Sequence, residues 1–214
     1  MSWHGLTTSH RHTAYGRLMR PSQHRVLAGI NADLARLVRY DDESLVHDVW
    51  IRQRYDCGCY PTYGPARSAS VRTAWHEAGH AAAAIATGAT FSSASIHHGV
   101  GSEGRVHRIS AATDTSFVID AAGQIAECLM TWTMLGDDDE LRRWLATWHA
   151  DGGDARRFRR GIAARFGDDE VAAWRHCEQA LIPHRPRIRQ VARALLVHPR
   201  HLPYPVVAAV AASA

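Results

Sequence analysis

Two histidines and a glutamate stand close together in the stretch TAWHEAGHAAAA, Thr73 to Ala84. His76 and His80 are four residues apart, so on an α-helix they lie on the same face and can bind one metal ion. Glu77 is turned about 100° around the helix axis from His76, which favours contact with a metal-bound water. This pattern is typical of zinc peptidases, in which zinc lowers the pKa of its water towards ~7 and the carboxylate takes the proton.

The helix that carries this motif is otherwise apolar, as HEAGHAAAAIATG indicates. Imidazoles and a carboxylate in a core helix are costly unless a metal or hydrogen bonds satisfy them. Gly79 weakens the helix by roughly 1 kcal/mol, and together with Ala78 it would let another element approach closely. The sequence predicts a helix over 70–87 that stops at Gly88. A chance match to five residues, in a chain with 15 histidines, is the alternative explanation.

A catalytic zinc also requires a third protein ligand and an open fourth position. Ala86 stands six residues after His80, where the metzincin pattern would have a histidine. Two acidic residues on later predicted helices are candidates, namely Glu127 in GQIAECL and Asp154 in HADGGDARRF, with Asp151 as a nearby substitute. The residues alone leave this choice open.

The elements that must position these residues are mainly helices. Apolar spacing and capping residues predict them in TDTSFVIDAAGQIAECLMTWTMLG, DDDELRRWLATWHA, GGDARRFRRGIAARFG, DDEVAAWRHCEQALI and RPRIRQVARALLVH. Two short stretches, FSSASIHHG and GRVHRIS, predict the strands of a small antiparallel hairpin. The predicted fold class is therefore mainly α with a small β-element, with HExxH on a core helix.

The first third of the chain differs from the rest. It begins with a polar stretch without periodicity, continues with two short predicted helices, and ends in CGCYPTYGPARSAS, which is rich in turn-forming residues. We predict an N-terminal extension over 1–65 and one domain over 66–214. Cys57 and Cys59 have no matching second pair, so a plain loop is favoured over a metal or redox site.

Composition excludes some functions. All 25 Lys and Arg residues are arginine, so the chain lacks the lysine that a P-loop uses to bind phosphate. The arginines are spread along the chain with acidic residues interspersed, at a net charge of +4, a pattern that does not favour nucleic acid as a partner. No run approaches the roughly 18 apolar residues of a membrane span, and the first residues lack an export signal. These features predict a cytoplasmic protein without a membrane partner.

Three blocks of the sequence resemble, in order, the peptidase domain of the FtsH-type membrane-anchored AAA proteases. TAWHEAGHAAAA is similar to the zinc helix of that family, and DAAGQIAECLM is similar to its GGRxAEEL helix. HADGGDARRFRRGIAARFG resembles the segment that carries the aspartate ligand. The closing ALIPHRPRIRQVARALLVHPRHLPYPVV resembles the last pair of helices, so the resemblance covers about 70–210.

The resemblance implies a zincin-like helical metallopeptidase domain that binds one zinc ion. It makes His76, His80 and Asp154 the zinc ligands and Glu77 the general base. It also implies that Glu127 lies behind a ligand histidine and accepts a hydrogen bond that fixes its tautomer. Direct ligation by Glu127 is the alternative.

The chain departs from the family at several points. Ala122-Gly123-Gln124 stands where Gly-Gly-Arg is usual, the strand region is shorter, and GDDDELRRWLATW is an extra helix that could cover the cleft or form a subunit contact. The family's ATPase motifs do not occur in these 214 residues. We therefore expect an ATP-independent zinc metalloendopeptidase that cleaves flexible or unfolded polypeptides, with a homo-oligomer as an option. The alternative is a catalytically silent, metal-binding regulatory or interaction module.

Overall fold

A computed structural model describes residue 28 and residues 66–96, 104–131, 136–148, 153–198 and 201–214. The predicted N-terminal extension, except for residue 28, lies outside these described residues, and so do Cys57, Cys59 and Asp151. The prediction of a boundary near residue 65 stays a prediction.

The described residues form seven α-helices, a 3-10 turn and three short strands. In chain order these are α1 (Ala66–Ala86), β1 (Ser93–Ser95), β2 (Arg105–His107), α2 (Ser116–Thr131), α3 (Asp138–Trp148), α4 (Gly153–Phe166), α5 (Glu170–Leu181), the 3-10 turn (Ile182–His184), α6 (Arg185–Val197), β3 (Leu202–Pro203) and α7 (Tyr204–Ala212). The prediction of a mainly α fold with a small β-element is confirmed. Within the described ranges, no helix has both the length and the apolar character needed to cross a membrane.

Helix α1 lies at the centre and packs against α2 and α6. The approach of α2 is unusually close at Gly79, where an added Cβ would lie 2.2 Å from the carbonyl oxygen of Ala122 and 2.6 Å from Cβ of Ala126. This contact is the packing reason for the glycine within the HExxH motif. The helix ends at Ala86, and Gly88 follows with a φ of +77°, a conformation that favours glycine at a helix end.

The three strands form an antiparallel sheet in the order β2-β1-β3. Ala94 in the central strand lies opposite Val106 on one side and Leu202 on the other. The β1–β2 hairpin was predicted, whereas β3 was not, because two residues are too few to show an alternating pattern. Strand β2 forms one edge of this sheet, next to α1.

The extra helix α3 packs against α5 rather than over a cleft. Leu141 and Leu145 are buried, and the ring of Trp144 lies 4.9 Å from that of Trp174 on α5. Three acidic residues in the first turn of α3 complement the positive end of its dipole. Of the two roles predicted as alternatives for this helix, covering the cleft does not hold for its described residues, because Leu141 and Leu145 face the core and none of these residues lines the cleft described below. The alternative of a subunit contact stays a prediction.

Candidate metal centre

Three predicted ligand side chains meet between α1 and the first turn of α4. Nε2 of His76 lies 3.1 Å from Nε2 of His80, and each of these nitrogens lies 3.3 Å from Oδ2 of Asp154. Ligand atoms at 2.0–2.1 Å from a tetrahedral zinc are separated by about 3.3 Å. The triangle formed by the three atoms has this size, so these residues could hold a metal ion.

Space for the two imidazoles depends on Gly123 of α2. A Cβ added at this position would lie 2.5 Å from Nε2 of His80 and 2.6 Å from Nε2 of His76. Because real Cβ atoms do not approach other atoms so closely, any side chain here would fill the space in front of both ligand nitrogens. Gly123 lies in the Ala122-Gly123-Gln124 segment, which stands where the FtsH-type peptidases, which this part of the sequence resembles, usually have Gly-Gly-Arg.

The other ring nitrogens of the two histidines contact acceptors on α2. Nδ1 of His76 lies 2.7 Å from Oε1 of Glu127, and Nδ1 of His80 lies 2.7 Å from the carbonyl oxygen of Ile119. Such partners fix the tautomer and orientation of a metal-binding histidine. Glu127 is thus directed to His76 and lies behind it, outside the His76–His80–Asp154 group. The role of Ile119 carries no sequence signal, because every residue has a carbonyl.

Arg72 holds the carboxylate of Glu127 from the far side. Its Nε forms an ion pair with Oε2 of Glu127, and Gln124 donates a hydrogen bond of 3.4 Å to the same oxygen. Arg72 was not identified from the sequence. It lies four residues before His76 on α1, so the spacing of residues on one helix face could have identified it.

Arg157 holds the carboxylate of Asp154 in place, as Arg72 holds that of Glu127. It pairs with Oδ1 of Asp154, the oxygen that does not face the histidines, and its Nε lies 2.8 Å from Oδ1 of Asp120. Arg157 is three residues after Asp154 on α4, and Asp120 belongs to α2. Arg157 therefore links α4, which carries the third candidate ligand, to α2, which carries the partners of the two histidines.

The pKa values of His76 and Asp154 are both shifted by the hydrogen bonds within the group. Burial by itself lowers the pKa of His76, but its hydrogen bonds to Asp154 and Glu127 outweigh this and raise it to about 10. Burial raises the pKa of Asp154, but hydrogen bonds from His76 and His80 outweigh this and hold it well below its usual range. A metal ion binding at Nε2 of His76 must displace a proton.

Glu77, the predicted general base, is buried beside the group. Burial raises its pKa, while His80 and His76 act in the opposite direction, and the backbone of Val106 in β2 contributes a hydrogen bond. A carboxylate whose pKa is raised is a stronger proton acceptor than an ordinary carboxylate. Gly104, just before β2, lies against this side chain, since an added Cβ would be 2.8 Å from Cγ of Glu77.

The group opens into a cleft of about 830 Å³. Its walls come from β2 and the segment after it, from the first half of α2 and from the first half of α4. The lining residues are His76, Glu77, His80, Gly104, Arg105, Val106, Ile109, Ala111, Thr113, Ser116, Ile119, Asp120, Gly153, Asp154, Arg157, Arg160 and Gly161. The candidate ligands and Glu77 thus line the floor or walls of this cleft.

No protein-family model matches the chain, and neither a curated protein nor a solved structure gives a significant match. The resemblance to the FtsH-type peptidases therefore rests on the three sequence blocks. The described fold adds that these blocks meet in space, with one residue group that could hold a metal ion.

Proposed function

We propose that this protein is a zinc-dependent metallopeptidase with a zincin-like site. The observation that carries the proposal is the His76–His80–Asp154 triangle with buried Glu77 beside it at an open cleft. Two imidazole nitrogens and one carboxylate oxygen are a donor set that zinc takes in catalytic sites. Three protein ligands leave the fourth position for water or substrate.

Two features of the surroundings support zinc rather than a chance cluster. Gly123 leaves a space in front of both Nε2 atoms that any Cβ would fill. Each histidine has an acceptor at Nδ1, which commits Nε2 to the shared group. A cluster without a metal role would not need both the empty space and the two orienting partners.

In the proposed mechanism, a bound zinc ion would supply an acidified water and polarise the scissile carbonyl. The carboxylate of Glu77 takes the water's proton and later delivers it to the leaving amine. Glu127 and the carbonyl of Ile119 hold the two imidazoles in the tautomer that leaves Nε2 unprotonated. Arg157 holds Asp154 by the oxygen that the group does not use.

The substrate that suits this cleft is an extended polypeptide. Strand β2 is an edge of the sheet and lies beside Glu77, so a peptide could add to it as a further strand. Main-chain pairing of this kind requires an unfolded segment, because a folded domain presents few free backbone groups. We therefore propose flexible or unfolded polypeptides as substrates, cleaved without ATP by this domain.

Zinc content and cleavage measured on the same sample test the proposal. We expect one zinc per chain and cleavage of an unstructured protein such as casein, both lost after chelation and restored by adding zinc. Zinc binding without cleavage of unstructured proteins or peptides would leave a silent metal-binding module. A chain that takes up no zinc after reconstitution would contradict the proposal altogether.

A further inference from the structure

Three arginines line the cleft around the candidate metal group. Arg105 comes from β2, and Arg157 and Arg160 come from α4. Apart from the metal group and Glu77, the acidic residue in the lining is Asp120. Arg157 is neutralised, since it pairs with both Asp154 and Asp120.

The other two arginines differ from Arg157 in that neither has an ion-pair partner among the described residues. Arg105 and Arg160 are exposed, and neither forms an ion pair or a hydrogen bond with a side chain of the described residues. They approach the cleft from different elements, one from the edge strand and one from α4. The cleft therefore carries two guanidinium groups that have no ion-pair partner among the described residues.

Apolar groups accompany these charges on the strand side. Val106 follows Arg105 in β2, and Ile109 is 38% exposed although most large apolar side chains of the described core are buried. Neighbouring residues of an extended peptide point to opposite faces, so one ligand can contact an apolar wall and a charged rim at once.

We propose that Arg105 and Arg160 select polypeptides with acidic side chains close to the scissile bond. This inference rests on the proposed peptidase function and specifies its substrate class. The carboxylates of the substrate pair with the two guanidinium groups, while an apolar side chain contacts Val106 and Ile109. Since the arginines are exposed, salt screens these pairs, and the preference is expected to shrink at high ionic strength.

Matched peptides test the proposal. Quenched fluorescent peptides of one sequence carry two Glu, two Gln or two Lys residues flanking an apolar centre, and kcat/KM is measured for each. For two exposed charge pairs we expect Glu peptides to be preferred over Gln peptides by about three- to tenfold at low salt. The double variant R105E/R160E should favour the Lys peptides instead.

Arg156→Gln is the matched control variant. Arg156 is exposed on α4, the helix that carries Arg160, but does not line the cleft. It should keep the preference for Glu peptides, whereas Arg105→Gln and Arg160→Gln should each lower the Glu-to-Gln ratio. A ratio of one in the unmodified protein, or equal effects of all three variants, would overturn the proposal.

A second readout separates this inference from the proposed function. Zinc-loaded Glu77→Gln protein is titrated with fluorescein-labelled forms of the three peptides, and binding is followed by anisotropy. Tighter binding of the Glu peptide, lost in R105E/R160E, supports acidic selection even if the unmodified protein cleaves nothing. Cleavage without charge preference would reject the inference and leave the peptidase function intact. Binding of a single-stranded oligonucleotide in place of acidic peptides would also reject it.

Discussion

Oε1 of Glu127 lies 2.7 Å from Nδ1 of His76, while Nε2 of the same ring faces Asp154. A largely buried carboxylate on one side of the ring therefore commits the opposite nitrogen to the candidate metal group. Burial raises the pKa of Glu127, but His76 and, to a smaller extent, Arg72 outweigh this and hold it below its usual range. Arg72 also keeps the Glu127 carboxylate in place.

Glu127→Gln should weaken zinc binding without removing a ligand. The amide keeps an acceptor oxygen but loses the negative charge, and mutation of such a partner behind a metal-binding histidine typically lowers affinity by about 10- to 100-fold. The measurement is a competition titration against a zinc chelator. Glu140→Gln, on the exposed first turn of α3, is the control and should bind zinc normally. Complete loss of zinc in a folded Glu127→Gln protein would indicate that Glu127 is a direct ligand.

Asp154→Ala should remove the third ligand. We expect the variant to fold but to fail to retain one zinc per chain through a desalting column, because two histidines alone form an incomplete site. Asp151→Ala is the informative partner, since Asp151 is the alternative that the sequence left open. If Asp151→Ala loses zinc and Asp154→Ala retains it, the assignment of Asp154 is wrong.

Gly123→Ala should prevent zinc binding by filling the space in front of both Nε2 atoms. The added methyl group would meet two side chains that the helix α1 holds in place, so relief requires the rings to turn away. Zinc content measured by atomic absorption gives the result directly. Retention of stoichiometric zinc with unchanged affinity would show that the histidines do not bind through these nitrogens.

Gly79→Ala should destabilise the fold, in contrast to Gly123→Ala, which should prevent zinc binding. Its Cβ would meet the backbone of Ala122 rather than the histidines, so the expected effect is on the fold. Overpacking of this kind typically lowers the free energy of unfolding by about 1–3 kcal/mol. The midpoint of urea unfolding should therefore drop, in contrast to Gly123→Ala, where the principal loss is zinc.

Zinc binding should release protons. Hydrogen bonds to Asp154 and Glu127 raise the pKa of His76 to about 10 in the metal-free protein, although burial opposes this, so at pH 7 to 8 the ion displaces a proton from His76. Calorimetric titration in two buffers with different ionisation enthalpies should report a release of about one proton per zinc. Affinity should rise with pH over the same range. Equal heats in both buffers would contradict a protonated His76.

The raised pKa of His76 also determines how the stability of the metal-free protein changes with pH. Because the pKa of His76 is higher in the folded chain than its ordinary value of 6.5, protonation favours the folded state. This stabilisation is complete below pH 6.5 and is lost as the pH rises through about 10. Metal-free protein should therefore unfold at lower urea concentrations at pH 10 than at pH 7.

The sequence was informative where a side-chain type and its spacing carry the chemistry. The four-residue interval between His76 and His80 predicts their shared helix face, and the acidic residues of later helices supply the candidates for the third ligand. Gly79 was expected to have a packing reason, and it has one in Ala122 of α2. Main-chain partners gave no such signal, so the contact between Ile119 and His80 could not be expected.

Other parts of the site depend on how helices cross. Gly123 matters only because α2 passes directly over both histidines, and a single helix pattern contains no information on that crossing. Arg157 bridges Asp154 and Asp120 across two helices, so its second partner was not readable from local spacing. Strand β3 was missed because Leu202–Pro203 obtains its pairing from β1 rather than from its own pattern.

Cleavage by zinc-loaded Glu77→Gln protein tests the central claim most directly. Both the unmodified and the variant protein are first shown to carry one zinc per chain, and then each is incubated with the same unstructured substrate. We expect the unmodified protein to cleave it and the variant to lose at least about a hundredfold in rate, since the proton acceptor is gone. Equal cleavage by the two zinc-loaded proteins would contradict the account.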